Sequence, residues 1–124
     1  MDDDVKLLGR LYACFNARDI DGILTALTDD VAWANGMDGG HVHGCDAVRE
    51  YWTRQWRMVS PHVEPVRFQR AADGVIVAEV RQSVRDLDGH PLQGQTHGLA
   101  DKTVSHVFQL RDGKVARFDI QDAA

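Results

Sequence analysis

Cysteine, proline and long apolar runs are scarce in this sequence. Two cysteines and three prolines occur among 124 residues. The spacing of Cys14 and Cys45 matches neither a CxxC redox pair nor a set of zinc ligands, so we expect reduced thiols. No apolar run approaches membrane-spanning length, and residues 2–4 are acidic where a signal peptide needs a basic and then an apolar stretch. We therefore expect a cytoplasmic protein with no membrane partner.

An excess of basic charge is also missing. Lys and Arg number 14 against 19 Asp and Glu, which gives a net charge of -5. Such a protein is not attracted to phosphate backbones, so we expect no nucleic-acid partner. The hydrophobic share of 44% and the charged share of 27% are typical of a globular protein. A chain of this length has room for a single domain over residues 1–124.

Apolar periodicity divides the chain into a helical first half and a strand-rich second half. A period of three or four residues predicts helices at residues 2–18, 20–27 and 45–60. Alternation predicts strands at residues 31–35, 62–72, 75–86, 92–110 and 114–122. Asp-Gly pairs separate the later strands, and residues 92–110 are too many for one straight strand, so we expect a bend at Gly94 or Gly98.

This order of elements indicates an α+β fold. We expect a cone-shaped, curved antiparallel sheet wrapped around three N-terminal helices. The helices would partly fill the concave side of the sheet and leave a mouth in which a small organic ligand could bind.

Four stretches of this sequence resemble the nuclear transport factor two-like superfamily, which holds ketosteroid isomerase, scytalone dehydratase and the SnoaL-like polyketide cyclases. Those stretches are FNARDIDGI at residues 15–23, LTDDVAW at 27–33, AVREYW at 47–52 after Gly44, and VFQLRDGKV at 107–115. The resemblance spans nearly the whole chain. It implies a cone-shaped α+β barrel, homodimers that pack through the sheet, and a pocket that different members use for different purposes.

The catalytic groups of ketosteroid isomerase are not retained at the matching positions. Its base falls on Asn35, and an amide cannot abstract a proton. Its oxyanion-binding Tyr falls near Leu11, next to Tyr12, and its oxyanion-binding Asp falls near Thr103. We therefore do not expect steroid isomerisation by that mechanism.

The SnoaL-like cyclases carry a His and an Asp on the last two strands. By resemblance the His matches His106, while the Asp best matches Ile120, with Asp119 and Asp122 on either side. Alternation also places His106 and Asp122 on otherwise apolar strand faces, where an imidazole and a carboxylate could transfer a proton. The alternative is a structural His in the core and an exposed terminal Asp.

Asp38 lies in a Gly-rich loop a few residues beyond the position of the missing base. It is a further catalytic candidate, and the alternative is a solvated loop residue.

Aromatic and apolar residues on the predicted inner faces are candidates for ligand binding, and core packing explains most of them equally well. The candidates are Tyr12, Trp33, Asn35, Trp52, Trp56, Phe108, Phe118 and Ile120. Among them Asn35 could orient a carbonyl or hydroxyl group of the ligand, or could simply begin a turn.

The HVH sequence of His41 and His43 could bind a metal ion with help from His90 or His97. Because HxH sites of the cupin type lie inside an all-β barrel, whereas this HxH precedes a helix in a predicted loop, we expect no metal ion and no cofactor.

Two functions remain open. The first is a cofactor-free acid/base enzyme of isomerase, cyclase or dehydratase type that acts on a largely apolar organic molecule. The second is a non-catalytic ligand-binding or dimerisation module, which the missing base and oxyanion groups favour. We expect a homodimer through the sheet in either case, with Val63, Val77 and Val107 as candidates for an apolar interface.

Overall fold

The computed structural model describes residues 3–35, 39–72, 74–90 and 102–122. Its helices are α1 (Asp3–Asn16), α2 (Ile20–Leu24) and α3 (Cys45–Met58). Its strands are β1 (Leu27–Ala34), β2 (His41–His43), β3 (Ser60–Ala72), β4 (Val75–Arg85), β5 (Lys102–Arg111) and β6 (Lys114–Asp122). The α+β class and the three N-terminal helices match the expectation from the sequence. Gly94 and Gly98 lie outside the described residues.

The six strands form one mixed sheet in the order β2-β1-β6-β5-β4-β3. All neighbours run antiparallel except β1 and β6, which are parallel. The sheet is curved but not closed, because β2 and β3 at its two edges do not pair in the described part of the chain. The predicted curved sheet is therefore confirmed, although it does not close into the barrel that the family resemblance implied and it is antiparallel except at the β1–β6 pair.

Two segments differ from the sequence-based assignment. The HVH segment is not a loop but the edge strand β2, since Val42 pairs with Trp33 and His43 pairs with Ala32. Strand β1 begins at Leu27, four residues earlier than predicted, because Leu27 already pairs with Val115 of β6. Leu24 and Leu27 are both apolar, so periodicity alone extended α2 too far.

The FNARD segment fixes α1 and α2 against the sheet. Asn16 clamps the backbone of Val63 by donating from Nδ2 to its carbonyl at 2.7 Å and accepting its N–H at 3.0 Å. Arg18, in the left-handed region with φ of 62°, lays its guanidinium over the Trp56 ring and donates to Ser60 Oγ. Asp19 caps α2 by accepting the N–H of Gly22. These bonds hold the turn between α1 and α2 against β3 and α3.

The core lies between the helices and the inner face of the sheet. Its fully buried members include Leu8, Ile23, Trp52, Val80 and Phe108. Val63 belongs to this core, so the suggestion that it supplies an outer apolar face was wrong. Val77 and Val107 are half-buried, pair with each other, and alternate with inward residues on the opposite face.

Within the described residues, no helix is long and apolar enough to cross a membrane.

Candidate active site

A cavity opens between α1, α3 and the inner face of the sheet. It contains about 590 Å³ of space not filled by protein atoms, the solvent at its mouth included. The described residues that line it are Leu11, Tyr12, Phe15, Trp33, Ala34, Tyr51, Trp52, Gln55, Pro61, Val63, Gln82, His106, Phe108, Phe118 and Ile120. Apolar and aromatic side chains dominate this lining, and five uncharged polar or titratable side chains interrupt it.

A tyrosine and a histidine form the polar centre of the cavity wall. Tyr12 Oη and His106 Nδ1 are 2.7 Å apart, and their rings stack with 11° between the planes. Tyr12 comes from α1 and His106 from the middle of β5, so the pair joins the helix layer to the sheet. Because a phenol is a stronger acid than a neutral imidazole N–H, Tyr12 donates and Nδ1 accepts. The ring proton of His106 is then on Nε2.

Burial keeps both members of this pair neutral. Desolvation lowers the pKa of His106 from its ordinary value of 6.5 to about 3, and it raises the pKa of Tyr12 well above 10.0. Each residue is at most 5% exposed. At neutral pH the pair therefore presents a hydrogen-bond donor at Nε2 rather than a cation, and no described residue hydrogen-bonds to that atom.

A second polar group comes from α3. Gln55 Nε2 donates to Tyr51 Oη at 2.9 Å, one helical turn away. The Gln55 side chain is buried, and its Oε1 atom has no hydrogen-bond partner among the described residues. Gln55 therefore adds a buried amide oxygen without a hydrogen-bond partner to the residues that line the cavity, in addition to the donor on His106.

Aromatic rings form the part of the lining next to His106. Trp33 stacks on Phe118 with 4.0 Å between ring centroids and meets Trp52 edge-on at 5.0 Å. Phe118 in turn meets His106 edge-on at 4.8 Å. These flat surfaces suit a flat apolar molecule next to the His106 donor.

Most of the residues proposed from sequence for ligand binding meet at this cavity. Tyr12, Trp33, Trp52, Phe108, Phe118 and Ile120 line it together with His106. Trp56 is not among the lining residues, because its ring stacks behind Trp52 and is covered by Arg18. Asn35 is not among them either, and its backbone bonds to Gly39 and Gly40 at the turn after β1.

The carboxylate candidates are only partly described. Asp38 lies outside the described residues, and Asp122 is described only as a backbone position in β6 that pairs with Val104. Both catalytic assignments stay predictions.

Asp119, the third carboxylate near this position, lies on the outer face of the sheet. It accepts hydrogen bonds from Arg117 at 2.8 Å and is joined to His41 Nε2 at 2.7 Å. Burial opposes its ionisation, but the hydrogen bonds from Arg117 and His41 outweigh this and lower the pKa of Asp119. Asp119 is therefore a surface ion-pair residue.

Two clusters contain histidine and could be considered as metal sites: His41 with His43, and His90 with Asp86 and Asp88. His41 is engaged with Asp119, and its ring centroid lies 6.5 Å from that of His43. Asp86, Asp88 and His90 cluster in the turn after β4, where Asp86 accepts the backbone N–H groups of both other residues. That turn is exposed and its own hydrogen bonds account for the cluster. His97 lies outside the described residues.

Sequence reasoning missed the polar residues Tyr51, Gln55 and Gln82 in the lining. Tyr51 and Gln55 lie on the same stripe of α3 as Trp52, and Gln82 alternates inward between Val80 and Val84. The available signal was a polar residue at an inward position of an otherwise apolar face.

Three helices on the inner face of a curved six-stranded sheet define this chain as a nuclear transport factor two-like α+β protein. Residues 8–118 match the model of the SnoaL-like domain. The chain belongs to this SnoaL-like family. No curated protein matches it in sequence.

Solved structures share the fold at low sequence identity. An NTF2-like protein of unknown function from Burkholderia pseudomallei is 24% identical with a TM-score of 0.81, over 99% of this chain and 92% of that one. TerC, co-crystallised with polyporic acid, is also 24% identical with a TM-score of 0.81, over 98% and 92%. A proposed polyketide cyclase from Sinorhizobium meliloti is 19% identical with a TM-score of 0.75, over 98% and 95%. Identities this low support the fold alone.

Proposed function

We propose that this protein is a cofactor-free enzyme that binds a small, largely apolar organic molecule and polarises one of its oxygen atoms. The reaction would be an isomerisation, cyclisation or dehydration. The observation that carries the proposal is the buried hydrogen bond between Tyr12 and His106 in the wall of an aromatic cavity. The names of the structural relatives, a proposed polyketide cyclase and a protein crystallised with polyporic acid, agree with this class of ligand.

His106 would act as a neutral electrophile. Its Nε2–H donates to a ligand carbonyl, and the bond strengthens as negative charge develops on that oxygen. A low histidine pKa suits this role, because a neutral imidazole can polarise a carbonyl without losing its proton. It suits the role of a general base poorly, since an imidazole with a pKa of about 3 has little affinity for a proton.

The base that removes a proton from carbon would be a separate group. Asp122 and Asp38 remain the candidates. In such a step the base takes a proton next to the carbonyl, the electron pair moves onto the oxygen held by His106, and return of the proton to another atom completes an isomerisation.

Exchange of carbon-bound hydrogen in heavy water tests the proposal. 2-Tetralone, a flat ketone with acidic hydrogens, is incubated with the protein and followed by NMR. The wild type should accelerate exchange, and His106→Ala should reduce the acceleration by roughly a hundredfold or more. His62→Ala, at an exposed position of β3, is the matched control and should behave as wild type. No acceleration by the wild type would refute the proposal for enolisable ketones.

A non-catalytic binding module is the second candidate. It is favoured by the absence of Asp or Glu from the described part of the cavity lining. It predicts that ligands bind without turnover, whereas the enzyme predicts a pH-dependent rate.

We also propose a homodimer through the outer face of the sheet and a cytoplasmic location. Val77 and Val107 are paired, half-buried valines on that face, and two free cysteines suit a reducing compartment. Sedimentation velocity tests the dimer: Val107→Arg should yield monomers, and Glu50→Arg on α3 should not. A monomeric wild type would contradict it.

A further inference from the structure

The carboxamide of Gln55 is an unusual group for a wall made mostly of aromatic rings. Gln55 is 5% exposed and lines the cavity from α3. Its Nε2 atom donates to Tyr51 Oη, which holds the amide plane in one orientation. The Oε1 atom, held on the other side of the same amide, receives no hydrogen bond from any described residue.

An unpaired buried acceptor opposes folding. Transfer of an amide oxygen out of water without a new hydrogen bond is unfavourable, and most buried polar groups in proteins have a partner. A Leu or Met at this position would continue the apolar stripe of α3 without that cost. A ligand with an O–H or N–H group would satisfy Oε1 in the complex.

We propose that Gln55 Oε1 accepts a hydrogen bond from a hydroxyl or amino group of the ligand and thereby selects which molecules bind. This inference rests on the proposed function, which places the ligand in the same cavity. The two polar positions of the wall then have opposite preferences: His106 Nε2–H takes an acceptor on the ligand and Gln55 takes a donor.

The charge of the lining restricts the ligand further. The described lining residues include no Lys, Arg, Asp or Glu, and an ion brought into such a cavity would lose its hydration without gaining a partner. The stacked Trp33 and Phe118 rings favour a flat molecule. The ligand class is therefore a flat, uncharged molecule that carries a carbonyl and, apart from it, a hydroxyl or amino donor.

A matched pair of ligands and a matched variant test this assignment. 4-Hydroxyacetophenone and 4-methylacetophenone have similar sizes and the same carbonyl, but only the first has a donor. Their affinities for the wild type and for Gln55→Met are measured by calorimetry. The ratio of the two affinities should shift about tenfold against the hydroxyl compound in Gln55→Met, the value of one good hydrogen bond. Gln69→Met, at an exposed position of β3, should leave the ratio unchanged.

The possible results separate this inference from the proposed function. An unchanged affinity ratio in Gln55→Met overturns the inference. If the ratio shifts in Tyr12→Phe but not in Gln55→Met, the ligand hydroxyl binds at the Tyr12–His106 pair, and the inference is overturned as well. A shifted ratio in Gln55→Met without any enolisation activity supports the role of Gln55 and refutes the enzyme proposal for enolisable ketones. Failure of both compounds to bind the wild type refutes both. Gln55→Leu repeats the test should the Met variant not fold.

Discussion

The hydroxyl of Tyr12 and Nδ1 of His106 lie 2.7 Å apart in the wall of the cavity, although 94 positions separate them in the chain. The bond ties the first helix to the fifth strand and leaves Nε2 as the remaining ring nitrogen of His106. Burial keeps the two groups neutral, so the pair is a donor of fixed geometry rather than an ion pair.

Tyr12→Phe should remove the hydrogen bond that fixes the tautomer of His106. In the wild type the O–H of Tyr12 donates to the lone pair of Nδ1, so the ring proton lies on Nε2. The variant removes this constraint and leaves Nδ1 without its partner, and we expect a mixture of tautomers and a loss of about 1–3 kcal/mol in the free energy of unfolding. Long-range ¹H–¹⁵N NMR distinguishes the tautomers. A wild-type spectrum with the proton on Nδ1 would contradict the direction of the hydrogen bond.

Asn16→Ala should loosen the contact between α1 and β3. Its side chain makes two hydrogen bonds to the backbone of Val63, and the variant leaves this partly buried N–H and C=O without their partner. We expect a loss of about 2–3 kcal/mol in the free energy of unfolding, measured with urea. Thr53→Ala, which removes a single bond within α3, is the control and should cost less than about 0.5 kcal/mol. Equal losses in both variants would argue against the clamp.

The sequence predicted the parts of this protein that follow from local patterns. Period and alternation were enough for the three helices, for five of the six described strands, and for the inward direction of His106, Phe108 and Phe118. They were not enough for the parallel pairing of β1 with β6 or for β2, because a three-residue strand has no periodicity and its pairing depends on residues that lie far along the chain.

The sequence predicted many of the residues of the site but not the hydrogen bonds between them. Tyr12 and His106 were both candidates, yet their hydrogen bond depends on how α1 crosses the sheet, which the Asn16 clamp helps to fix. Gln55 was missed because polar residues on an apolar stripe were not weighed as site residues. Alternation along β6 predicts that Asp119 and Ile120 lie on opposite faces of the sheet. The structure agrees, since Asp119 bonds to Arg117 on the outer face.

Two glycines in the helices should respond to alanine in opposite directions. Gly9 lies within α1 with no atom within 4 Å of an added Cβ, so Gly9→Ala should stabilise the protein by about 0.5–1 kcal/mol through helix propensity. Gly22 lies in α2, where an added Cβ would be 2.8 Å from Cys14 Sγ and would strike the capping carboxylate of Asp19. Gly22→Ala should therefore destabilise it. Thermal unfolding of the two variants checks the signs, and stabilisation by Gly22→Ala would contradict the close packing of the cap.

Stability should depend on pH through His106. Its pKa is about 3 in the folded protein and near the ordinary 6.5 in the unfolded chain. Between these values the unfolded chain binds a proton that the folded protein does not, so the free energy of unfolding falls as pH is lowered from about 6.5 toward 3. The slope should approach about 1.4 kcal/mol per pH unit within that window.

A double variant isolates this contribution from those of the carboxylates. His106→Phe combined with Tyr12→Phe replaces both partners by apolar groups, so it removes the proton uptake without leaving an unpaired group. Asp30, Asp86 and Asp119 keep their lowered pKa values in both proteins and affect both curves alike at the acid end. Urea denaturation at pH 7, 6, 5 and 4 should give a steeper decline for the wild type than for the double variant. Parallel curves would mean that His106 is not buried in neutral form, and the proposed role of its Nε2–H as a fixed neutral donor would fail with it.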